Sequence, residues 1–298
     1  MALVSESSRI VVFGDVIDDL VVVPHGTIRP DTDTVSSIRQ RAGGSAANAA
    51  AWMGSLGAAV DFVGMVGHDD VGRHSALLES AGVTPHLIGD PELPTGAIVV
   101  IVDGERRTML TDTGANAHMT PDAVSDTLLA AATLVHFTGY SLFSAPDHVA
   151  IRSLIDRAAR LGVEVSVDPG SAGFIADFGA QNFLDAVEGA GLIFPNLEEG
   201  RVLTGLEDPQ EMVARLGESF AIVALTLDTE GVMLGWRGHP ITRIDAVSSA
   251  IVDPTGAGDA FAAGFLAEWV RNRDAMAAAR AGARAGALAV ATIGGRPV

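Results

Sequence analysis

A glycine-rich element precedes an apolar helical pattern near the C-terminus, where residues 253–261 read DPTGAGDAF. The first amides of a helix lack intrahelical partners and carry partial positive charge, and glycine lets a large anion approach them. Gly256, Ala257 and Gly258 could therefore hold a phosphoryl group without a lysine. Asp259 beside them could accept a proton from an attacking hydroxyl. The element predicts phosphoryl transfer; the alternative is a tight turn with a helix cap.

A second glycine pair opens another helical pattern, in the stretch RAGGSAAN at residues 41–48. Gly43 and Gly44 precede a first turn that carries Ser45 and Asn48. Both polar side chains could form hydrogen bonds with substrate hydroxyls. A capped helix start explains the same residues without a ligand.

The composition excludes several classes of protein. All 19 basic residues are arginine, so the chain offers no lysine for a Walker A loop, a pyridoxal Schiff base or a protein-kinase third strand. It contains no cysteine, which excludes disulfides and thiolate chemistry. The net charge of −18 argues against a nucleic-acid partner.

The chain shows no membrane or targeting signal. Its N-terminus lacks the basic and apolar regions of a signal peptide, and its apolar runs are shorter than the ~20 residues that span a bilayer. The alanine-rich stretch 275–292 contains Arg280 and Arg284 and is interpreted as a packed helix. We expect a cytoplasmic protein with no membrane partner.

Alternation of short apolar runs with helical patterns predicts an α/β fold with a mostly parallel sheet flanked by helices. Ligands of such sheets bind beyond the carboxyl ends of the strands. Four candidate positions follow predicted strands in this way: Gly14–Asp15, Asp168, Pro195–Asn196 and Asp253–Asp259.

Two segments, about 19–41 and 96–112, interrupt this alternation with short β patterns and no helix. The second is predicted to be a hairpin around Asp103–Gly104. We expect them to form a small β-sheet lid inserted into a single domain that spans residues 1–298.

These motifs together resemble the two signatures of the ribokinase-like (PfkB) carbohydrate kinases. GGSAAN and DPTGAGDAF carry the resemblance, and TGANAHMTP (113–121), PNLEE (195–199) and LTLDTEG (225–231) fit in order between them. The similarity runs from about Ile10 to Pro297. It implies the ribokinase-like fold, ATP as phosphate donor and Mg²⁺ as cofactor.

The resemblance also implies roles for individual residues. Asp259 corresponds to the catalytic base, beside an anion hole of Gly256, Ala257 and Gly258. The residues implied to bind the sugar are Asp15, Asp19, Gly43, Gly44 and Asn48. Arg107 in the lid hairpin could face a phosphate, or it could be a solvated surface residue.

For the cofactors, the resemblance implies three further groups. Asn196 and Glu199 would organise Mg²⁺ through water, and the nucleotide would contact Asn196, Thr226, Asp228, Gly231, Gly256 and Gly258. A monovalent cation such as K⁺ would lie near Asp253, Thr255, Ala289, Thr292 and Gly294. An ordinary helix C-terminus with a glycine stop is the alternative for the last three.

The expected function is an ATP-dependent sugar kinase that transfers the γ-phosphoryl group to a hydroxyl, expected to be a primary one, of a small carbohydrate such as ribose or fructose. Ribokinases usually carry lysine where this chain has Ser45, and several nucleoside kinases of the family carry serine. A nucleoside kinase of the adenosine type is therefore one alternative, and a non-catalytic sugar- or nucleotide-binding regulator is another. We expect a homodimer formed through the lid, because pairing would cover exposed strand edges.

Overall fold

A computed structural model describes residues 8–103, 106–143 and 148–297, without the side chains of Asp103, Arg106, Arg107 and His148. The strands in these ranges are β1 Arg9–Phe13, β2 Ile17–Pro24, β3 Ser36–Gly43, β4 Ala59–Gly67, β5 Val83–Asp90, β6 Gly96–Asp103, β7 Arg106–Asp112, β8 Leu134–Thr138, β9 Glu164–Asp168, β10 Leu192–Ile193, β11 Ile222–Thr226, β12 Val232–Trp236 and β13 Thr242–Ile244. The helices are α1 Ser45–Ser55, α2 Val71–Ser80, α3 Asp126–Ala131, α4 Tyr140–Phe143, α5 His148–Arg160, α6 Ala172–Phe178, α7 Ala180–Ala186, α8 Leu197–Thr204, α9 Pro209–Leu216, α10 Ala257–Asn272 and α11 Ala275–Val290.

Nine strands of the described ranges form one large sheet in the order β13-β12-β11-β10-β9-β8-β1-β4-β5. The pairs from β11 across to β5 are parallel, whereas β12 and β13 are antiparallel. The predicted α/β class with a mostly parallel sheet is confirmed. Strand β12 runs antiparallel to β11 because only a tight turn separates the two strands.

Both faces of the large sheet are buried. Along β1, Ile10 and Val12 pack into one apolar core, and Val11 and Phe13 pack into another on the opposite face. Alternate side chains of a strand point to opposite faces, so an unbroken apolar run predicts a strand covered on both sides. Helices α1, α10 and α11 cover the first face, and α5, α7 and α9 cover the second.

Helices α10 and α11 cross at a very short distance. A Cβ atom added to Gly264 would lie 2.7 Å from Ala285 Cβ, and one added to Gly282 would lie 2.7 Å from Phe261 O. Larger side chains at these positions would force the two helices apart. The glycines of this pair therefore fix the position of α10, the helix that begins at the glycine-rich element.

A small separate sheet has the strand order β3-β2-β6-β7. Its strands β6 and β7 form the predicted antiparallel hairpin, and Asp103 pairs with Arg106 at the end of the ladder. The hairpin tip at Gly104 lies outside the described residues. The second sheet that the sequence predicted is thus confirmed.

Several elements were not predicted, including β5, β13 and the short helices α3, α6, α7 and α9. These elements are short or lie at the sheet edge, where the apolar periodicity extends over few residues. Helix α11 confirms that the alanine-rich stretch is a packed helix. Among the described residues, none of the helices is both long and apolar enough to cross a membrane.

Candidate active site

A cleft of about 330 Å³ opens at the carboxyl ends of the parallel strands, beneath the small sheet. Ile98, Val100 and Met109 of the small sheet line one side of it. The start of α1 and the start of α10 line another side, through Ser45 and Asp259. The fold therefore brings the two predicted glycine-rich elements together, although about two hundred residues separate them in the chain.

Asp259 lies in the first turn of α10 and accepts hydrogen bonds from two side chains of α1. Ser45 Oγ donates to Asp259 Oδ1 at 2.6 Å, and Asn48 Nδ2 donates to Asp259 Oδ2 at 3.0 Å. Burial raises the pKa of Asp259 to about 7, although these two donors act to lower it. A carboxylate with this pKa can hold and release a proton near neutral pH, as a general base must.

The amide groups that precede Asp259 form an open cradle. Gly256 adopts a φ of 76°, and a Cβ atom there would lie 2.6 Å from Gly295 Cα, so only glycine fits. A Cβ atom on Gly258 would meet nothing within 4 Å. Within the described part of the chain, the amides of Gly256 and Gly258 have no hydrogen-bonding partner, whereas Ala257 N donates to Pro254 O at 3.3 Å. The amides of Gly256 and Gly258 can therefore bind an anion.

The two aspartates predicted to bind sugar have different surroundings, although both line the cleft. Asp15 accepts hydrogen bonds from Ser45 N at 2.8 Å and Ala46 N at 3.1 Å, so its carboxylate caps α1. Desolvation raises the pKa of Asp15. The carboxylate of Asp19 lies against Gly43, and burial raises its pKa to about 6. Asp19 makes no side-chain hydrogen bond within the described residues, which leaves it available to a ligand.

The glycines of the GGSAAN motif let Asp15 and Asp19 lie close to the start of α1. Gly44 has a φ of 90°, and a Cβ atom there would lie 2.6 Å from Asp15 O. A Cβ atom on Gly43 would lie 2.3 Å from Asp19 Oδ2. The glycine pair therefore lets two acidic residues pack directly on the backbone at the start of α1.

Asn196 and Glu199 form a reciprocal capping box at the start of α8. Asn196 Oδ1 accepts from Glu199 N, and Glu199 Oε2 accepts from Asn196 N, both at 2.9 Å. Each side chain keeps a polar atom free of this box, and both residues line the cleft. Burial raises the pKa of Glu199 to about 7.

Asp168, at the end of β9, also lines the cleft. Burial, followed by the nearby charges of Glu199 and Asp259, raises its pKa well above the usual range. The sequence placed Asp168 at a strand end but gave it no role. The cleft is therefore lined by five carboxyl groups, those of Asp15, Asp19, Asp168, Glu199 and Asp259. The proximity of the last three disfavours their simultaneous ionisation unless a cation is bound.

The predicted nucleotide contacts separate into two groups. Thr226 lines the cleft, and its amide donates to Pro195 O at 2.9 Å. Asp228 and Gly231 lie in the tight turn between β11 and β12 and are outside the cleft lining. Gly231 has a φ of 92°, and a Cβ atom there would lie 2.0 Å from Ile244 O, so the turn itself requires this glycine.

The two halves of the predicted monovalent-cation loop are adjacent. Asp253 Oδ1 accepts from Thr255 N at 3.0 Å, and Asp253 Oδ2 accepts from Gly294 N at 3.1 Å. Ala289 O accepts from both the amide and the hydroxyl of Thr292 at 3.0 Å, as in an ordinary helix end. These contacts hold the two halves of the loop together, and they also fit an ordinary helix terminus.

Two features of the site were not predicted from the sequence. Ser45 was interpreted as a substrate contact, whereas its hydroxyl binds Asp259 directly. Arg296 was given no role, yet it donates to Asn48 Oδ1 at 3.3 Å and to Gly43 O at 2.8 Å. The position of Arg107 can be given only for its backbone, which pairs with Val102, because its side chain lies outside the described residues.

An aromatic wall completes the cleft. Tyr140, Phe143 and Phe174 line it, with ring centroids 5.6 to 6.3 Å apart. Phe174 is 40% exposed, so its ring is accessible from the cleft. Rings in such a cluster offer an apolar face to a flat or ring-shaped ligand.

An anion cradle, a buried carboxylate of raised pKa and a cleft at the strand ends define an α/β enzyme suited to phosphoryl transfer. Comparison with known proteins agrees with this class. The family model for pfkB family carbohydrate kinases matches residues 7–297. The chain therefore belongs to the pfkB family of carbohydrate kinases, which are phosphotransferases with an alcohol acceptor.

Individual relatives are similar over most of their length. The chain is 34% identical to an ATP-dependent ribose-1-phosphate kinase of Halopiger xanaduensis, over 90% of this chain and 87% of that protein. It is 29% identical to the 2-dehydro-3-deoxygluconokinase of Thermoproteus tenax, over 96% and 89%. Among solved structures, adenosine kinase from Sinorhizobium meliloti superposes with a TM-score of 0.86 at 25% identity, covering 98% of this chain and 97% of that one.

The raised pKa of Asp259 predicts an acidic limb in the activity profile. A base with a pKa of about 7 loses its proton-accepting form as the pH falls below that value, so kcat/KM should decline there. In Ser45→Ala, loss of a hydrogen bond to the charged form should move this limb upward by roughly one pH unit. The measurement is the pH dependence of kcat/KM for both proteins.

Ser55→Ala serves as the control for this prediction. Ser55 lies at the other end of α1, where its hydroxyl donates to Trp52 O at 2.8 Å. Its replacement should leave the acidic limb in place. An identical limb in Ser45→Ala and the unmodified protein would show that the Ser45 hydroxyl does not tune the base.

Proposed function

We propose that this protein is an ATP-dependent sugar kinase that transfers the γ-phosphoryl group to a primary hydroxyl of a small carbohydrate such as ribose or fructose. The observation that carries the proposal is Asp259, which adjoins the free amides of Gly256 and Gly258 within the cleft. An acceptor hydroxyl beside this carboxylate would give up its proton to Asp259. The two amides would stabilise charge on the phosphoryl oxygens.

The acceptor would lie between α1 and the small sheet. The carboxylate oxygens of Asp19 accept no side-chain hydrogen bond from the part of the chain that the structure describes, and oxygens of this kind accept hydrogen bonds from sugar hydroxyls. Asn48 is held against Asp259 and would place the reacting hydroxyl beside the base. Asp15 would act indirectly in this arrangement, because its oxygens bind the first amides of α1.

The side chains of the cleft fit Mg²⁺ with ATP. Glu199, Asn196 and Asp168 offer oxygen atoms, the type of ligand that Mg²⁺ prefers. Among residues 8–103, 106–143 and 148–297, no group of three or more histidines or acids is arranged to hold a metal directly. Attachment through water and phosphate oxygens suits this arrangement, and the ion would supply charge neutralisation for the phosphates.

The small sheet is proposed to act as a lid. Its residues Ile98, Val100 and Met109 form an apolar cover over the cleft that holds the polar groups. A closed cover would exclude water, which would otherwise compete with the acceptor for the phosphoryl group. K⁺ is proposed to bind the loop formed by Asp253, Thr255 and Gly294. Bound there, it would hold in place the adjoining amides of residues 256–258.

A substitution at Asp259 tests the central proposal. Asp259→Asn keeps the size of the side chain but cannot accept the proton, so turnover should fall at least ~100-fold while ATP binding is retained. ADP release in the presence of an accepted sugar measures turnover, and calorimetry measures ATP binding. Glu268→Gln, at a half-buried position of α10 outside the cleft lining, is the control and should keep full turnover. Near-normal turnover in Asp259→Asn would refute the assignment.

A nucleoside kinase is the second candidate, and the aromatic wall favours it. Tyr140, Phe143 and Phe174 could stack on a nucleobase attached to the sugar. Ser45, in place of the lysine usual in ribokinases, agrees with this candidate. The similarity to an adenosine kinase structure supports it as well.

Phosphorylation assays with ribose, fructose and adenosine distinguish the two candidates. If a nucleobase stacks on the wall, Phe174→Ala should raise the KM for adenosine roughly tenfold, with little change for ribose. Leu161→Ala, an exposed residue after α5, is the control. Equal effects on both acceptors would argue against base stacking. If the protein consumes no ATP with any of the three acceptors, the third candidate, a non-catalytic sugar- or nucleotide-binding regulator, is favoured.

A homodimer through the lid is also proposed. The outer face of the small sheet carries Leu20, Val22, Ile38, Val99 and Leu110, and Ile38 and Leu110 are 62% and 57% exposed. An apolar face of this kind on a short sheet is suited to pairing with a second copy.

Light scattering after size exclusion tests the dimer. The protein should have twice the mass of the 30.6 kDa chain, and Ile38→Glu should shift it toward the monomer. Leu161→Glu places the same charge on an exposed site outside the small sheet and should leave the mass unchanged. A monomeric mass for the unmodified protein at micromolar concentration would contradict the proposal.

A further inference from the structure

The turn that follows α11, residues 292–297, packs against the starts of both catalytic helices. Trp52 Nε1 of α1 donates to Gly295 O at 2.9 Å. Gly295 also lies close to Gly256, at the start of α10: a Cβ atom added to Gly256 would lie 2.6 Å from Gly295 Cα. The C-terminal turn is therefore in direct contact with the back of the anion cradle and with α1.

Arg296 of this turn reaches the residue that holds the base. Its Nε donates to Asn48 Oδ1 at 3.3 Å, and its Nη2 donates to Gly43 O at 2.8 Å. Since a carboxamide has one accepting and one donating end, an arginine on Oδ1 leaves Nδ2 to face Asp259, as observed at 3.0 Å. In the reverse orientation, Asn48 Oδ1 would face the Asp259 carboxylate, and two hydrogen-bond acceptors would repel each other.

Arg296 also lies in a strongly charged neighbourhood. Its Nη1 is shielded from solvent and has no hydrogen-bonding partner within the described residues. Burial lowers the pKa of Arg296 to about 10, so the side chain remains a cation at neutral pH. The charged and titratable groups around it are Asp15, Asp18, Asp19, Arg73 and His74. Asp253 acts on the neighbouring Asp19.

Asp19 is the acid that depends on this arginine. Its carboxylate packs on Gly43, whose carbonyl oxygen binds Arg296. Burial raises the pKa of Asp19, and the charge of Arg296 is the leading influence that lowers it. The negative charges of Asp15, Asp18 and Asp253 raise the pKa of Asp19 further. Without the arginine, Asp19 would therefore hold its proton to higher pH.

We propose that Arg296 is a positioning residue of the kinase site, which fixes the amide of Asn48 toward Asp259 and supplies the countercharge for Asp19. It acts through these two residues rather than by touching the reacting atoms. The inference rests on the proposed function, because it assigns the acceptor to Asp19 and the proton transfer to Asp259.

Two substitutions separate the two roles. Arg296→Met keeps an unbranched apolar side chain but removes the charge and the donors, so we expect kcat to fall roughly tenfold and the KM for the acceptor to rise roughly tenfold. Asp19 should hold its proton to higher pH in this variant, so the acidic limb, to which Asp259 also contributes, should move to higher pH. Arg296→Lys keeps the charge but lacks the planar fork that binds two acceptors. It should restore the acceptor KM and the limb, while kcat remains lowered.

Arg271→Met is the matched control, because the guanidinium of Arg271 also donates to a backbone oxygen, Leu56 O at 3.0 Å, outside the cleft. Melting temperatures of all variants show how much each substitution costs in stability. If Arg296→Met matches the control in kcat, acceptor KM and pH limb, the proposal is overturned. Identical kinetics in the Met and Lys variants would overturn the countercharge role.

An NMR titration of Asp19 tests the countercharge role even if no acceptor is found. The titration of the Asp19 carboxyl carbon, followed by ¹³C NMR and assigned with Asp19→Asn, should move to higher pH in Arg296→Met and stay in place in Arg296→Lys. An unchanged titration in Arg296→Met would refute the countercharge role. Absence of phosphoryl transfer in the unmodified protein would instead refute the proposed function, so the two failures are distinguishable.

Discussion

The contact on which the site depends is the pair of hydrogen bonds from Ser45 and Asn48 to the buried carboxylate of Asp259. The donors and the acceptor lie in the first turns of two helices, α1 and α10, whose N-termini meet at the cleft. Burial favours the neutral acid, whereas the two donors favour the carboxylate. The balance leaves Asp259 with a pKa near neutrality, where a carboxyl group can exchange a proton with an alcohol.

Close helix packing makes this contact possible. The glycines and alanines of α10 and α11 allow the two helices to cross at short distance, and α10 packs in turn against α1. A hydrogen bond of 2.6 Å between two helices tolerates little displacement, since its strength falls steeply with distance and angle. The small side chains of this region therefore serve the geometry of the site as well as the stability of the core.

The site carries an excess of negative charge, which has consequences for its chemistry. Asp168, Glu199 and Asp259 share the cleft, and burial raises the pKa of each of them. Neighbouring carboxylates add to this effect: Glu199 and Asp259 act on Asp168, and Asp259 acts on Glu199. Asp15 and Asp19 act in the same way on Asp259. In a chain without lysine, positive potential comes from helix amides and from arginines such as Arg296. An arrangement of this kind suits a substrate that arrives with its own cation, as a magnesium nucleotide does.

The sequence by itself determined the α/β class, the small second sheet, the kinase family and the position of the glycine-rich cradle. These features are encoded locally, in apolar periodicity and in short ordered motifs such as DPTGAGDAF. Only the tertiary structure decided that Ser45 donates to Asp259 and that Arg296 donates to Asn48. It also decided that Asp15 caps α1, whereas Asp19 has no side-chain hydrogen bond among the described residues. Those contacts join residues that are far apart in the chain, and their partners are selected by packing distance and burial, which no local pattern of residue types records.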